Sequence, residues 1–373
     1  MLDVLRRNIR QLFRALRRIE ARGHSHGQAL LLLCEVILRR AYSALARHLE
    51  KFPLINTINH RALEAFQRNH VAVGGGHFYL ILMPGTLHFV VPCLSLLPAH
   101  MRVILIANGA AEWERQYLAR AFPQYPIFKL KTFPGSSLSH GTVLTLLLAS
   151  NEGPFGVLDH DCYVFDPSIF RDLEFGEREC LVAVFGNTAP RLGIPYPETY
   201  FLYFNSKLLK PIIERYGVDA RAYRKLPKAA RDPLATIGVQ DGVFLKEYHN
   251  YFDTLHVLLL LALAEGLTVR FLHSVDADSI AHVGSTSSGV AHTKDLMHSY
   301  VQLRFLELLD DQRLRRLYRR RTLPFRESSE VWSRIPRSPE AVARMNAVDE
   351  LMRRIASRVF VAASRRLAQA RDQ

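Results

Sequence analysis

The order of apolar and polar positions from residue 71 onward predicts strands that alternate with helices. Short apolar runs, typical of buried strands, are each followed by a longer stretch of mixed polarity with helical spacing. The predicted strands are Phe78–Met83, Arg102–Ala107, Pro126–Thr132 and Phe155–Leu158. The predicted helices are Leu87–Leu97, Ala110–Phe122 and Leu138–Ser150. This alternation predicts an α/β fold, with a mostly parallel sheet flanked by helices on both faces.

The second half of the chain has a more mixed pattern. Strands are predicted over Cys180–Gly186 and Leu267–His273, and Glu198–Leu209 predicts a strand that passes into a helix. Within Gly238–Tyr248, a helix is predicted to begin after Asp241. No internal repeat is present, so we do not expect a repeat architecture.

Residues 1–20 have the pattern of an amphipathic helix. Six arginines surround an apolar stripe whose members are spaced alternately by three and four residues: Leu2, Leu5, Ile9, Leu12, Leu16 and Ile19. Two interpretations stay open. The helix lies on an anionic membrane surface, or it docks on its own domain and leaves a solvated basic face. Residues Gln28–Lys51 predict a second helix.

The net charge of +14 is concentrated at the two ends of the chain. Residues 1–50 carry a net charge of +6 and residues 301–373 carry +8, so residues 51–300 are neutral. A neutral body between basic ends predicts a catalytic domain with basic attachments. We therefore expect a basic helical extension over residues 1–70, a catalytic domain over 71–300 and a basic helical extension over 301–373.

Composition narrows the class of protein. Of the 373 residues, 49% are hydrophobic, which is enough for a sizeable core. The four cysteines form no Cys-x-x-Cys pair, which favours free thiols in a reducing compartment. No apolar run approaches the roughly 20 residues of a membrane span, and arginines interrupt any secretory signal at the N-terminus. We expect a cytoplasmic protein that can attach to the inner face of the membrane.

Two aspartates follow the fourth predicted strand directly. The apolar residues Phe155–Leu158 lead into Asp159 and Asp161, and ligands gather at the carboxyl ends of strands in open α/β sheets. Paired carboxylates suit a hard cation such as Mg²⁺ together with substrate phosphates. A solvated turn is the alternative, and a second Asp-x-Asp, Asp276 to Asp278, lies in a polar loop that favours that alternative.

Four short motifs, taken in order, resemble those of a known family. They are Asp159-His160-Asp161 after a strand, Phe204-Asn205-Ser206, the pair Gln240-Asp241, and a late His282-Val283-Gly284. Over residues 78–290 the chain resembles the nucleotide-sugar glycosyltransferases of the GT-A fold. The resemblance implies transfer of a sugar from a nucleoside diphosphate sugar to an acceptor hydroxyl, such as that of an envelope or surface glycan.

The resemblance also implies roles for individual residues. Asp159 and Asp161 are expected to bind Mn²⁺ or Mg²⁺ and the donor, with His282 as a third metal ligand and Asp241 as the catalytic base. Alternatives stay open for two of them, because His282 also fits a hydrogen-bonded loop histidine and Asp241 fits a helix cap.

Three further residues are expected at the donor by their position at predicted strand ends. Thr86 and Asn108 follow the first two strands, where a nucleotide base and ribose would lie. Asn205 is a candidate for hydrogen bonding a sugar, and packing at a strand end is its alternative.

Two other classes of protein are considered. A phosphatase of the haloacid dehalogenase type also uses Asp-x-Asp, but it needs a threonine soon after the second aspartate, where this chain has Cys162-Tyr163. A non-enzymatic, membrane-associated basic scaffold is compatible with the charged ends. No nucleic-acid-binding signature is present. The expected partners are therefore a nucleotide sugar, a glycan or lipid-linked acceptor, and an anionic membrane surface.

Overall fold

The computed structural model describes residues 12–20, 22–49, 53–70, 76–171, 173–272, 279–284, 295–319 and 324–371. The chain divides into two compact units. One comprises Met1–Ala46, Gly85–Leu96 and Val283–Gln373, and the other comprises Arg47–Pro84 and Leu97–His282. The three-part division expected from the charge distribution is a different one and stays a prediction.

The larger unit, Arg47–Pro84 with Leu97–His282, contains two β-sheets. The strands are β1 Phe78–Leu82, β2 Val103–Ala107, β3 Ile127–Lys129, β4 Phe155–Asp159, β5 Cys162–Val164, β6 Glu179–Thr188, β7 Pro195–Phe204, β8 Thr268–Phe271 and β9 Ile280–His282. Seven of them form a sheet in the order β3-β2-β1-β4-β7-β6-β8, and β5 pairs with β9 in a second sheet.

The main sheet is mostly parallel, as predicted, with one antiparallel insertion. Strands β1, β2, β3 and β4 are parallel to one another, and β8 is parallel to β6. Strand β7 runs antiparallel to both β4 and β6. The short connection from β6 to β7, closed by the Ala189 amide donating to the Ile194 carbonyl, requires this reversal.

The described residues also form thirteen α-helices. Residues 12–20 form α1. The others are α2 His26–Leu49, α3 Pro53–His70, α4 Leu87–Leu96, α5 Glu112–Ala121, α6 His140–Ser150, α7 Ser206–Tyr216, α8 Arg231–Ala235, α9 His256–Ala264, α10 Leu296–Leu309, α11 Gln312–Leu317, α12 Ser328–Trp332 and α13 Pro339–Arg371. The predicted α/β class, with helical N- and C-terminal extensions, is confirmed.

The central strands are buried on both faces in the larger unit. Every residue of β1 and β2 is buried, and the apolar residues of α6 and α9 pack in the same core. Gly156 permits close packing inside this sheet, because a Cβ there would lie 2.1 Å from Cδ1 of Phe78. Among the described residues, no helix is both long and apolar enough to cross a membrane.

The smaller unit, Met1–Ala46, Gly85–Leu96 and Val283–Gln373, is helical wherever its elements are described. One of its cores joins α10, α12 and α13 through Met297, Tyr300, Val331 and Met345. Polar side chains also tie its helices together: Asp349 accepts hydrogen bonds from the Tyr300 hydroxyl and the Arg304 Nε.

One predicted helix is absent. Residues 241–242 form a turn and no helix follows through residue 248, so the predicted helix after Asp241 and the alternative of a cap at that residue are both wrong. Gly242 adopts a left-handed φ of 89°, which interrupts a helix at its start. The Asp241 carboxylate instead accepts a hydrogen bond from the Leu226 amide at 2.7 Å.

His256, the first residue of α9, is buried in the core of the larger unit. Its Nδ1 accepts the backbone N–H of Asp253 at 3.2 Å, an arrangement that needs the neutral imidazole. Burial lowers the pKa of His256 from 6.5 to about 4, although the Asp253 carboxylate acts in the opposite direction. The unfolded chain therefore binds a proton here at a higher pH than the folded chain does.

This shift predicts acid destabilisation in a defined pH window. The contribution of His256 to stability is complete above about pH 6.5 and is lost as the pH falls toward about 4. Urea unfolding of wild type should give midpoints that fall across this window. His256→Asn keeps an acceptor near Nδ1 and removes the titration, so its midpoints should decline less steeply. Parallel pH profiles for the two proteins would contradict the assignment.

Candidate functional site

Asp159 lies at the carboxyl end of a central strand. It is the last residue of β4, and it is in register with Ile81 near the end of β1. Because β1, β2 and β4 are parallel, their carboxyl ends meet at one edge of the sheet. The Asp159 side chain is partly exposed at this edge.

The small second sheet brings His282 to the two aspartates. Cys162, which follows Asp161, pairs with His282 in the antiparallel β5–β9 register. The backbone amides of Phe165 and Asp166 both donate to the Ser279 carbonyl and extend this pairing. The late histidine is thereby held beside Asp161 by backbone hydrogen bonds.

Asp159, Asp161 and His282 form a compact cluster. The His282 Nε2 lies 3.3 Å from Asp161 Oδ1 and 4.0 Å from Asp159 Oδ2. One ligand atom from each of the three residues lies within 4.8 Å of the others. In an octahedral site with bonds of about 2.1 Å, ligand atoms are about 3 to 4.2 Å apart. These residues therefore fit a cation of the Mg²⁺ or Mn²⁺ class with small adjustments.

The burial of Asp161 makes the charge balance of the cluster important. Asp161 is only 2% exposed, and a buried carboxylate is stable only when it is paired or coordinated. Burial lowers the pKa of His282, but the hydrogen bond and charge of Asp161, with the charges of Asp159 and Glu198, outweigh burial and raise it. A proton on His282 therefore supplies the positive charge that a bound cation would supply instead.

Two residues that the sequence analysis did not select complete the surroundings. The His140 Nε2, at the first position of α6, lies 3.7 Å from Asp159 Oδ1. The Tyr200 ring stacks on His282 with centroids 4.4 Å apart, and burial raises the pKa of Tyr200. His140 follows Ser139, whose side chain caps α6 by accepting the Thr142 amide, so the residue stands at the start of a helix that the sequence predicted.

Asn108 lies at the same sheet edge, but its side chain is engaged in structure. It follows β2, is fully buried, and its Oδ1 accepts the Leu138 amide at 2.7 Å. Its Nδ2 donates to the Leu138 carbonyl at 2.9 Å. Asn108 therefore holds the backbone of Leu138, just before α6. Its predicted role in binding a nucleotide stays a prediction.

Asn205 lies at the opposite edge of the sheet from Asp159. It follows the antiparallel strand β7, whose last residue, Phe204, pairs with Phe155 at the start of β4. The length of β4, about 13 Å at ~3.3 Å per residue, separates the two edges. The Asn205 Nδ2 donates to the Glu179 carbonyl, so the side chain takes part in packing at the strand end, which was the alternative role considered for it. Asn205 is therefore not included in the proposed donor site.

The other predicted residues lie in loops or at a helix start. Thr86 is buried in the smaller unit, and its carbonyl accepts the Phe89 and Val90 amides at the start of α4. The exposed Asp241 lies 3.5 Å from Arg231 and belongs to a loop whose backbone is held at Leu226 by a hydrogen bond. The second Asp-x-Asp falls outside the described residues.

Comparison with known structures gives weak likenesses. A mannosyltransferase from Pyrobaculum calidifontis, in complex with GDP-Man and Mn²⁺, is 9% identical with a TM-score of 0.36, over 84% of this chain and 95% of that chain. S. aureus TarS 1–349 in complex with UDP-GlcNAc is 10% identical with a TM-score of 0.33, over 77% and 83% of the two chains.

An active-site mutant of LgtC is 15% identical with a TM-score of 0.29. The match covers 38% of this chain and 64% of LgtC, which is less than two thirds of that protein. None of these likenesses carries an argument about function. No curated protein shows a significant sequence match.

A family model does match part of the chain. Residues 56–209, which include β1 to β7 and both aspartates of the cluster, match the StrH glycosyltransferase N-terminal domain. The match lies within the sheet that presents the cluster, and it agrees with the resemblance drawn from the sequence motifs. The match covers less than half of the chain, and over these residues it supports a glycosyltransferase.

Proposed function

We propose that this protein is a metal-dependent glycosyltransferase that moves a sugar from a nucleoside diphosphate sugar to an acceptor hydroxyl. The observation that carries the proposal is the convergence of Asp159, Asp161 and His282 at the carboxyl edge of the sheet. Mn²⁺ or Mg²⁺ held there would stabilise the negative charge that develops on the leaving diphosphate.

The residues of the cluster have separable tasks in this proposal. Asp161, which is buried, is a fixed ligand, while the more exposed Asp159 lies where it can also face the donor. His282 binds as the neutral imidazole, so occupancy of the site displaces its proton. In the transfer itself, a bond forms between the acceptor oxygen and the anomeric carbon, the carbon–oxygen bond to the diphosphate breaks, and the acceptor proton passes to a base.

Substitution of Asp161 tests the metal site. Asp161→Asn should weaken the Mn²⁺-dependent binding of UDP and GDP by more than about tenfold, because it removes a charged ligand. Calorimetry with and without Mn²⁺ measures this effect. Asp166→Asn is the matched control, because Asp166 follows in the same segment but accepts hydrogen bonds from Ser168. Equal loss in both variants, or none in Asp161→Asn, would contradict the metal assignment.

Asp241 is proposed as the base that accepts the acceptor proton. Asn at this position keeps an oxygen that can accept the Leu226 amide, so Asp241→Asn separates the charge from the loop contact. Turnover should fall by about 10² to 10⁴, with donor affinity and thermal midpoint unchanged. Near wild-type kcat would place the base elsewhere, and a lowered midpoint would assign Asp241 to loop stability.

An anionic membrane surface is the proposed site of attachment, and α2 supports it. Helix α2 exposes an apolar stripe at helical spacing, flanked by the basic N-terminal sequence. Its members are Leu30, Leu31, Ile37, Leu38, Tyr42 and Leu45. The described part of α1 differs, because Ala15 and Ile19 are buried and only Phe13 of its large apolar residues is exposed. The attachment proposed here therefore rests on α2.

Liposome co-sedimentation tests this attachment. The double variant Leu31→Glu and Leu38→Glu changes side chains that are 75% and 70% exposed, and it should lose most binding to anionic vesicles. Leu54→Glu, an equally exposed leucine on α3, is the control and should bind as wild type does. Salt should weaken wild-type binding without abolishing it. Equal binding by the double variant and wild type would contradict the role of α2.

A further inference from the structure

A second concave site lies in the larger unit, separate from the aspartate–histidine cluster. It is a cavity of about 290 Å³ between α3, α6 and the segment around residue 220. None of the three cluster residues lines it. Its walls combine basic, amide and apolar side chains, and those that matter here are Asn56, His60, Arg61, Leu146, Asp219 and Arg221.

The wall formed by residues 219–221 is rigidly seated on α6. A Cβ at Gly141 would lie 2.6 Å from the Arg221 Cα and 2.7 Å from the Ala220 carbonyl oxygen, so the glycine permits direct backbone contact. The Thr145 hydroxyl accepts the Ala220 amide at 3.1 Å. A wall held by backbone contacts of this kind is preformed, as small-molecule sites usually are.

The basic side chains of this cavity are partly oriented in advance. The Asp219 carboxylate accepts the Arg221 Nε at 2.6 Å and the Tyr223 hydroxyl at 3.0 Å, which fixes the guanidinium plane. Arg61, on the facing helix α3, is exposed at the opposite side of the opening. Two guanidinium groups against one carboxylate leave the opening with a net positive charge, which favours an anionic ligand.

One wall atom indicates a second property of the ligand. The Asn56 Oδ1 is buried and has no hydrogen-bond donor within the described part of the chain. A buried amide oxygen is stable only when a donor reaches it, and a ligand hydroxyl is such a donor. Leu146 and Ala149 provide an apolar surface beside these groups, suited to the C–H face of a sugar ring.

We propose that this cavity binds an anionic monosaccharide unit, a sugar that bears a carboxylate or a phosphate. Its charge would lie at Arg61 and Arg221, one of its hydroxyl groups would donate to Asn56, and its ring would pack on Leu146. On the assumption that the proposed function is correct, this unit belongs to the acceptor glycan. Helix α6 links the two sites, since Thr145 lies about 7.5 Å along the helix axis from His140 at ~1.5 Å per residue.

Binding can be measured without metal or donor, so the test is independent of the transferase reaction. The probes are glucuronate, glucose 6-phosphate, glucose and inorganic phosphate, titrated into the full chain and followed by calorimetry and by amide NMR. At least one of the two anionic sugars should bind, and glucose should bind at least about tenfold more weakly. The comparison of the two anionic sugars identifies which charged group the site accepts.

Variants then place the binding in this cavity. Arg61→Met should lower the affinity for the anionic sugar by about tenfold or more. Asn56→Leu should also lower the affinity for that sugar, while the affinity for inorganic phosphate should stay unchanged. Arg68→Met, an exposed arginine on the same helix and outside the cavity, should bind as wild type does. Asp161→Asn should also bind as wild type does, because it alters only the cluster. A failed metal test with intact sugar binding would therefore reject the transferase and leave this site standing.

Several results would overturn the proposal. If glucose binds as tightly as the anionic sugars, the ligand need not be anionic. If inorganic phosphate binds as tightly as glucose 6-phosphate, the sugar ring is not recognised. Equal behaviour of Arg61→Met and Arg68→Met would place the ligand outside the cavity. If none of the four probes binds, the proposed site is rejected.

Discussion

The burial of the Asp161 carboxylate is the constraint on which the site depends. A charge that is 2% exposed at a sheet edge requires a partner of opposite charge or a coordinated cation. The chain supplies His282 by returning a strand to the segment immediately after the aspartates. Stacking of Tyr200 on that histidine then fixes the orientation of the imidazole ring.

The three parallel strands before the aspartates were predictable because their signals are local. Fully apolar runs such as β1 and β2, separated by helices of about ten residues, leave few alternatives to a parallel sheet. Asp159 was predictable for the same reason, since it ends such a run. The smaller unit is harder to predict from the sequence, because it is assembled from segments that are distant along the chain: Met1–Ala46, Gly85–Leu96 and Val283–Gln373.

The positions that sequence reasoning misjudged depend on strand direction or on distant contacts. Asn205 follows a strand, as Asp159 does, but β7 runs antiparallel and ends at the other edge. No residue pattern within β7 reveals its direction, which follows from the short turn before it. The approach of His140 to Asp159 likewise depends on the way α6 and β4 meet at one edge. The turn at Asp241 depends on the left-handed conformation of Gly242, which composition alone does not specify.

The strand pairing of Cys162 with His282 has a consequence for when the aspartate–histidine cluster can form during synthesis of the chain. The two residues are far apart along the chain, so their contact closes a long loop and costs chain entropy. Folding is slower where non-local contacts of this kind must form. On a ribosome, the first four strands emerge well before residue 282 is added. The cluster of Asp159, Asp161 and His282 is therefore completed only after residue 282 has been added, and a nascent chain that already holds both aspartates still lacks the histidine.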